Sequence, residues 1–176
     1  MDVSRRQVLK IGAWSVLAAS VPGAAGALVA PRRLRLHNSH TGERVDCTYW
    51  EDGAYVPSAL AEIDRCLRDH RTDEVTPIDR RLVDQLHALH RALGAREPFR
   101  VISGYRSPAT NAMLAARGGG VARRSFHVRG MAVDVALPGR DVAELRRAAL
   151  ALAAGGVGYS PKSGFVHLDV GPVRRW

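Results

Sequence analysis

Cysteine is scarce in this chain, and its scarcity excludes two kinds of small protein. Cys47 and Cys66 are the two cysteines among 176 residues, which is too few for a scaffold built on disulfides. They do not form a Cys-x-x-Cys motif, which argues against a thiolate zinc site and against a redox motif. In an oxidising compartment the two thiols can pair. The sequence leaves a disulfide and two buried thiols equally open.

The chain also lacks internal repeats, low-complexity tracts and the length for a second domain. It has 46% hydrophobic and 24% charged residues, a composition that suits one small packed domain. Lysine and arginine number 26 against 17 acidic residues, a net charge of +9, but no block of five or six consecutive basic residues occurs. This diffuse charge argues against nucleic acid as a partner. A basic surface still favours encounters with other polyanions, including cell-wall polymers.

No apolar run is long enough to cross a membrane. The longest candidate, Ile11 to Val21, has 11 residues before Pro22, whereas a spanning helix needs about 20. The run follows the pair Arg5-Arg6 and precedes an Ala-x-Ala sequence at residues 25–27, which together resemble a twin-arginine export signal. We therefore expect a signal peptide at residues 1–27, a mature domain at residues 28–176 and a periplasmic or otherwise exported protein. An uncleaved membrane anchor is the alternative.

The sequence of the mature domain predicts short helices and strands, an α+β pattern that begins after a basic leader at residues 31–35. Apolar residues at helical spacing and polar capping residues predict three amphipathic helices. They follow Ser58, Asp79 and Asp141. The first two end near Leu67 and Gly94, and the third spans Val142 to Leu152. Short apolar segments bounded by glycine or proline predict three strands. These are Phe99–Ser103, Met131–Leu137 and Phe165–Val170.

Two of the seven histidines, His127 and His167, lie among other residues that can carry chemistry. Strand alternation directs Asp134 away from the apolar neighbours on its strand, and it gives His167 and Asp169 a common face. Two imidazoles and a carboxylate suit a zinc ion with an open catalytic position. The alternative from spacing alone is a pair of solvated polar strand faces. His87 and His90 lack a His-Glu-x-x-His pattern and are expected to be ordinary helix-face residues.

The pattern Ser125-x-His127-x6-Asp134 with a later His167 resembles the zinc D-Ala-D-Ala peptidases and murein endopeptidases. The similarity is greatest to the exported YcbK/MepK branch and extends over nearly all of the mature chain. Its further segments are residues 38–42, 68–72, 103–107 with Asn111, 155–159 and 165–176. The resemblance implies a hedgehog/DD-peptidase-like fold, a small α+β domain with a central antiparallel sheet and flanking helices. It also implies zinc bound by His127, Asp134 and His167.

Other roles follow from the same resemblance. Arg106 corresponds to the arginine that relatives direct at the scissile carbonyl oxygen, where a fixed cation stabilises developing negative charge. Ser103, Tyr105 and Ser125 correspond to the substrate-binding region. A turn-capping role is the alternative for Ser125, and a plain surface role is the alternative for Arg106.

One departure from the family concerns the catalytic base. Many relatives carry a glutamate three residues before the last histidine ligand, and Gly164 stands there in this chain. Asp169, on the same strand face as His167, is the candidate for accepting a proton from the attacking water. Two alternatives stay open. Asp169 is a metal ligand with His167 as the base, or it orients His167 from behind.

The residues and the resemblance together predict a monomeric zinc endopeptidase that cuts cross-links between peptidoglycan stem peptides. Its expected partners are those stem peptides and the twin-arginine export machinery. A carboxypeptidase or dipeptidase that trims D-amino-acid termini would use the same metal chemistry. A zinc-containing cell-wall binding module without hydrolytic activity is the alternative that the missing glutamate suggests.

Overall fold

The computed structural model describes residues 30–117, 122 and 124–176. The predicted export signal lies outside these residues. The strands are β1 (Arg32–Asn38), β2 (Arg44–Glu51), β3 (Ala54–Tyr55), β4 (Phe99–Ser103), β5 (Ala132–Ala136), β6 (Gly156–Ser160), β7 (Phe165–Asp169) and β8 (Arg174–Arg175). The helices are α1 (Pro57–Cys66), α2 (Arg80–Ala92), α3 (Pro108–Ala116) and α4 (Val142–Leu152), with a 3₁₀ helix at Phe126–Arg129. None of the helices in these ranges has the length and apolar character needed to cross a bilayer.

The strands form one mixed sheet in the order β3-β2-β1-β4-β5-β7-β6-β8. Its centre, β4-β5-β7-β6, is antiparallel throughout. On the two flanks β1 runs parallel to β4, and β8 runs parallel to β6. The predicted α+β class with a central antiparallel sheet and flanking helices is confirmed, and the two parallel pairs are additions to it.

The hydrophobic core lies between one face of this sheet and the helices. Alternate residues of the strands are apolar, so each strand directs them to the same face. On β1, β5 and β7 these residues are Leu34, Leu36, Val133, Val135, Val166 and Leu168, each at most 1% exposed. Helices α1, α2 and α4 bury Ile63, Leu86 and Leu145 against them. The opposite face of β5 and β7 is left for polar side chains, and it carries the candidate site.

The expected basic leader at residues 31–35 is wrong, because most of it belongs to strand β1. Leu34 and Leu36 are buried, whereas Arg33 is exposed and Arg35 is half-buried, the period-2 pattern of a strand with one face in the core. On the outer face Arg33 and Arg35 both hydrogen-bond Asp46 of β2. The arginines are thus the solvent side of a strand rather than an unstructured segment.

The helix caps agree with the sequence prediction in part. Asp79 and Asp141 cap α2 and α4, accepting from the backbone N–H groups of Arg81 and Ala143. Helix α1 begins at Pro57 rather than after Ser58, and Val56 precedes it. Helix α3 was not predicted, although Ser107 caps it and Pro108 occupies its first turn, a common start for a helix.

Both cysteines are free thiols. Cys47 is half-buried on β2, and Cys66 is buried at the end of α1. Burial raises the pKa of each thiol to about 11, so both stay protonated at neutral pH. Of the two alternatives that the sequence left open, the structure contains the unpaired one.

Candidate metal centre

A row of four residues crosses the centre of the sheet on the face opposite the core. Asp134 of β5 lies directly opposite His167 of β7. Ser103 of β4 pairs with Asp134 on one side, and Gly158 of β6 pairs with His167 on the other. His127 reaches the row from the 3₁₀ helix that precedes β5. The register therefore gathers His127, Asp134 and His167, the three residues that the family resemblance implies as ligands.

Three side-chain atoms of these residues converge on one point. Nε2 of His127 lies 3.1 Å from Nδ1 of His167 and 3.3 Å from Oδ1 of Asp134. Nδ1 of His167 lies 2.8 Å from the same Oδ1. Donors bound tetrahedrally at zinc distances of 2.0–2.1 Å are about 3.3 Å apart. The triangle is slightly smaller than that and needs little expansion to hold a cation.

The tautomer of His127 is fixed by a backbone carbonyl. Its Nδ1 lies 2.7 Å from the carbonyl oxygen of Gly104, so Nδ1 carries the proton and Nε2 presents a lone pair to the site. Gly104 has no room for a side chain, because a Cβ there would come within 2.2 Å of the Leu67 carbonyl oxygen. The His127 side chain is buried, and burial lowers its pKa. The neutral, metal-binding form is therefore the favoured one.

His167 is held by a carboxylate in the same manner. Its Nε2 lies 3.1 Å from Oδ2 of Asp169, so Nε2 donates its proton there and Nδ1 faces the other two ligands. Asp169 is fully buried and makes a paired contact with Arg174, at 2.7 Å from Nη2 to Oδ2 and 3.0 Å from Nη1 to Oδ1. The backbone N–H groups of Gly156 and Gly171 also donate to Oδ1. Five donors thus surround this carboxylate.

The electrostatics keep both carboxylates of the site ionised. Burial alone would raise the pKa of Asp134, but its interactions with the His127 and His167 imidazoles outweigh burial and hold the pKa below its usual range. For Asp169, burial is likewise outweighed by hydrogen bonds from His167, Arg174 and Gly171, and its pKa is also lowered. Each carboxylate is therefore charged at neutral pH.

The donor set fits a zinc ion. Each histidine has its outer nitrogen occupied by an acceptor, so the inner nitrogens and Oδ1 of Asp134 meet as three lone pairs. Three acceptors at 2.8–3.3 Å repel one another unless a proton or a cation lies between them. Two imidazoles and one carboxylate are also the ligand types of catalytic zinc sites with an open position.

Arg106 is attached to the back of this centre. Its Nη2 donates to Oδ2 of Asp134 at 2.7 Å, and its Nε donates to Oγ of Ser103 at 2.8 Å. Burial lowers the pKa of the guanidinium, which nonetheless stays charged at neutral pH. Arg106 also lines the cleft that opens over the ligands, so a fixed positive charge lies beside the site.

A family model described as peptidoglycan L,D-endopeptidase MepK matches residues 26–176. The chain belongs to this family. The match covers the whole of the described fold, and it confirms the resemblance on which the ligand prediction depends.

Curated members of the MepK family resemble the chain over its full length. The peptidoglycan L,D-endopeptidase MepK of Escherichia coli K12 is 43% identical over 178 residues, which cover 99% of this chain and 98% of that protein. The probable peptidoglycan L,D-endopeptidase MepK of Haemophilus influenzae is 36% identical over 180 residues, covering 100% and 97%. Among solved structures, the L-Ala D-Glu endopeptidase ChiX of Serratia marcescens is 26% identical with a TM-score of 0.35, over 43% of this chain and 62% of that one. An overlap of that size does not define a fold.

The cleft of this MepK-family chain has a volume of about 400 Å³. Of the three residues predicted to bind substrate, Ser125 lines it, and its hydroxyl also accepts from the His127 N–H at 3.3 Å. Ser103 contacts Arg106 instead, and Tyr105 packs against the hydrophobic core. Neither belongs to the cleft lining among the described residues.

The other histidines lie outside the cluster of His127, Asp134 and His167. His87 and His90 bond the backbone carbonyls of Arg33 and Glu97, which agrees with their expected role as ordinary helix residues. His40 stacks on His70 with ring centroids 3.8 Å apart.

Two residues of the last segment were not singled out from the sequence. Arg174 and Trp176 both line the cleft. Arg174 holds Asp169, and the Trp176 ring centroid lies 5.3 Å from that of His167. Their separation from Asp169 by a glycine- and proline-containing turn hides this contact in the sequence.

Proposed function

We propose that the chain is a zinc-dependent endopeptidase that hydrolyses peptide cross-links of peptidoglycan. One observation carries the proposal. The lone pairs of His127, Asp134 and His167 converge within 2.8–3.3 Å of one another beneath an open cleft, in a chain whose family is named for peptidoglycan endopeptidases. The names of the relatives specify L,D bonds, and we extend that bond type to this chain.

In this proposal Nε2 of His127, Oδ1 of Asp134 and Nδ1 of His167 hold the metal. Zinc bound there supplies an acidified water and a Lewis acid for the scissile carbonyl, the two activations that peptide hydrolysis needs. The protein fixes the tautomer of each histidine ligand, so that the inner nitrogen of the ring faces the metal. Gly104 does so through its carbonyl oxygen, and Asp169 does so through its carboxylate.

Arg106 is proposed to stabilise negative charge on the carbonyl oxygen during attack. Its guanidinium is anchored by Ser103 and Asp134, so it needs no reorganisation when that charge develops. Its third nitrogen, Nη1, takes no part in these two contacts, and it has no acceptor among the described residues. Ser103 thus positions Arg106, and Ser125 is the proposed substrate contact.

We assign Asp169 to the orientation of His167 rather than to proton transfer. Its two oxygens accept five hydrogen bonds from His167, Arg174, Gly156 and Gly171, and its side chain is fully buried. A base must reach the attacking water directly or through one more water. The contacts therefore favour the third of the alternatives raised by the sequence.

The finer predictions about the cellular setting also remain proposals. We propose that residues 1–27 are a twin-arginine signal, that residues 28–176 are the zinc peptidase domain and that the mature monomer works in the periplasm. Its partners would be peptidoglycan stem peptides and, during export, the twin-arginine machinery.

Digestion of purified cross-linked sacculi, followed by separation and mass analysis of the muropeptides, tests the function. We expect dimers to disappear with an increase of monomers of unchanged stem length. His127→Ala serves as the metal-site control, and His87→Ala is its match among histidines outside the site. Shortened monomers with intact dimers would identify a trimming carboxypeptidase. Binding without any new product would identify a non-hydrolytic module.

A further inference from the structure

Trp176 is an exposed aromatic residue that is nevertheless held firmly. The residue is 57% exposed, among the highest fractions for a large hydrophobic residue in the described ranges. Its backbone N–H donates to the Val157 carbonyl at 3.3 Å, and its carbonyl accepts from the Tyr159 N–H at 3.0 Å. Both backbone groups of Trp176 are therefore hydrogen-bonded to strand β6, while much of its apolar surface faces solvent.

The indole ring has a specific seat on the sheet. It lies over Gly158, where a Cβ would come within 2.9 Å of two carbons of the ring. The Arg174 guanidinium packs 4.8 Å from the ring centroid, a cation–π contact. Because Arg174 is itself held by Asp169, the ring has little freedom to turn away.

This seat places the ring beside the reaction centre. Gly158 pairs with the ligand His167 across β6 and β7, and the Trp176 ring centroid is 5.3 Å from the imidazole. Trp176 and Phe165 both line the cleft that contains the three ligands. An aromatic wall therefore borders the side of the cleft formed by β6 and β7, whereas Arg106 borders the side formed by β4 and β5.

We propose that the exposed part of the Trp176 indole binds the aliphatic side chain of the stem-peptide residue next to the scissile bond. This inference rests on the proposed function, and it adds a substrate-contacting residue to that site. An indole face offers a large, rigid apolar surface. Arg174, the cation beside it, is already engaged by Asp169. The ring therefore suits a chain of methyl or methylene groups rather than a carboxylate.

Steady-state kinetics on a purified cross-linked muropeptide dimer test the proposal with zinc-loaded protein. Trp176→Ala should raise KM about 10-fold or more, as expected for a lost hydrophobic contact, with kcat and zinc content near the wild-type values. Trp176→Phe should restore part of the affinity. Val173→Ala is the matched control, because Val173 is 67% exposed in the same segment. An unchanged KM, or a fall in zinc affinity and kcat at constant KM, would overturn the proposal in favour of a structural role.

A second measurement does not depend on turnover. The chain has three tryptophans, so Trp14→Phe with Trp50→Phe leaves Trp176 as the single indole of the full chain. Titrating the metal-free double variant with the same dimer should change its fluorescence saturably. No change at dimer concentrations well above the KM of the zinc-loaded enzyme would contradict the contact. If the wild type fails to cleave the dimer, the proposed function fails. The titration, carried up to the solubility limit of the dimer, then decides the contact by itself.

Discussion

Replacing Asp169 by Asn should weaken zinc binding by changing the tautomer of His167. All five groups that contact the carboxylate are hydrogen-bond donors, two of them at Oδ2 and three at Oδ1. An amide has one oxygen and one NH₂ group. The NH₂ group cannot accept hydrogen bonds, so we expect it at the Oδ2 position, where it opposes two donors rather than three. These two donors are Arg174 and Nε2 of His167. Donation to Nε2 then moves the imidazole proton to Nδ1, the atom proposed to bind the metal.

The expected size of the effect follows from the position of Asp169 behind a ligand. Loss of such a partner raises the metal dissociation constant about 10- to 100-fold, or about 1.4–2.8 kcal/mol. The Arg174 side chain is 38% exposed, so water replaces part of what the guanidinium loses. We therefore expect a fall of only about 1–3 kcal/mol in the free energy of unfolding.

Competition titration with a chromogenic chelator measures the zinc affinity, and muropeptide cleavage at saturating zinc measures the rate. Asp46→Asn is the matched control, since Asp46 is an exposed carboxylate paired with arginines on β1. We expect weaker zinc binding for Asp169→Asn and a rate largely restored by added zinc. Wild-type zinc affinity with a rate about 10²- to 10⁴-fold lower would refute the orienting role and identify Asp169 as the base.

Three further changes test other parts of the structure. Burial would raise the pKa of Asp69, but hydrogen bonds, among them those from Ser107, outweigh it and lower the pKa. Asp69 therefore stabilises the fold above its unfolded pKa of about 3.9, and this stabilisation disappears as the pH falls below that value. Asp69→Asn should lower the free energy of unfolding by about 2–3 kcal/mol at pH 7. Measured by urea unfolding, the stability of this variant should decrease less than that of the wild type as the pH falls into the acid range; an equal decrease would contradict this. Arg106→Lys should lower kcat about 10²- to 10³-fold at saturating zinc, and a normal kcat would exclude the oxyanion role. Replacing Arg5 and Arg6 by Lys should leave precursor in the cytoplasm on fractionation, whereas normal export would reject the twin-arginine route.

The sequence predicted those elements whose own residues carry a complete pattern. Helix α4 begins after Asp141 and contains a regular apolar stripe, and strand β4 is bounded by proline and glycine, so both have the predicted limits. Strand β1 was misjudged because its arginines outweighed the alternation of its leucines. Strands β6 and β8 are short and glycine- or arginine-rich, and they exist through pairing with neighbours rather than through local preference.

The sequence likewise predicted only part of the candidate site. The side-chain alternation of β5 and β7 predicted a polar face with Asp134 and His167, and the functional residue types around His127 singled it out as well. The family resemblance then implied these three residues as the ligands. The alternation could not predict that Asp134 pairs with His167 directly, because register depends on both strands. It also could not show that Arg174 holds Asp169, a contact made across a turn after the strand ends. The role of Asp169 therefore depended on geometry.

Crystals grown with zinc and measured at the zinc absorption edge test the central claim most directly. The claim predicts a single anomalous peak about 2.0–2.2 Å from Nε2 of His127, Oδ1 of Asp134 and Nδ1 of His167, with the remaining position open to the cleft. A peak coordinated by Asp169 in place of His167 would contradict it. So would the absence of a peak at these atoms in protein that cleaves cross-linked muropeptides.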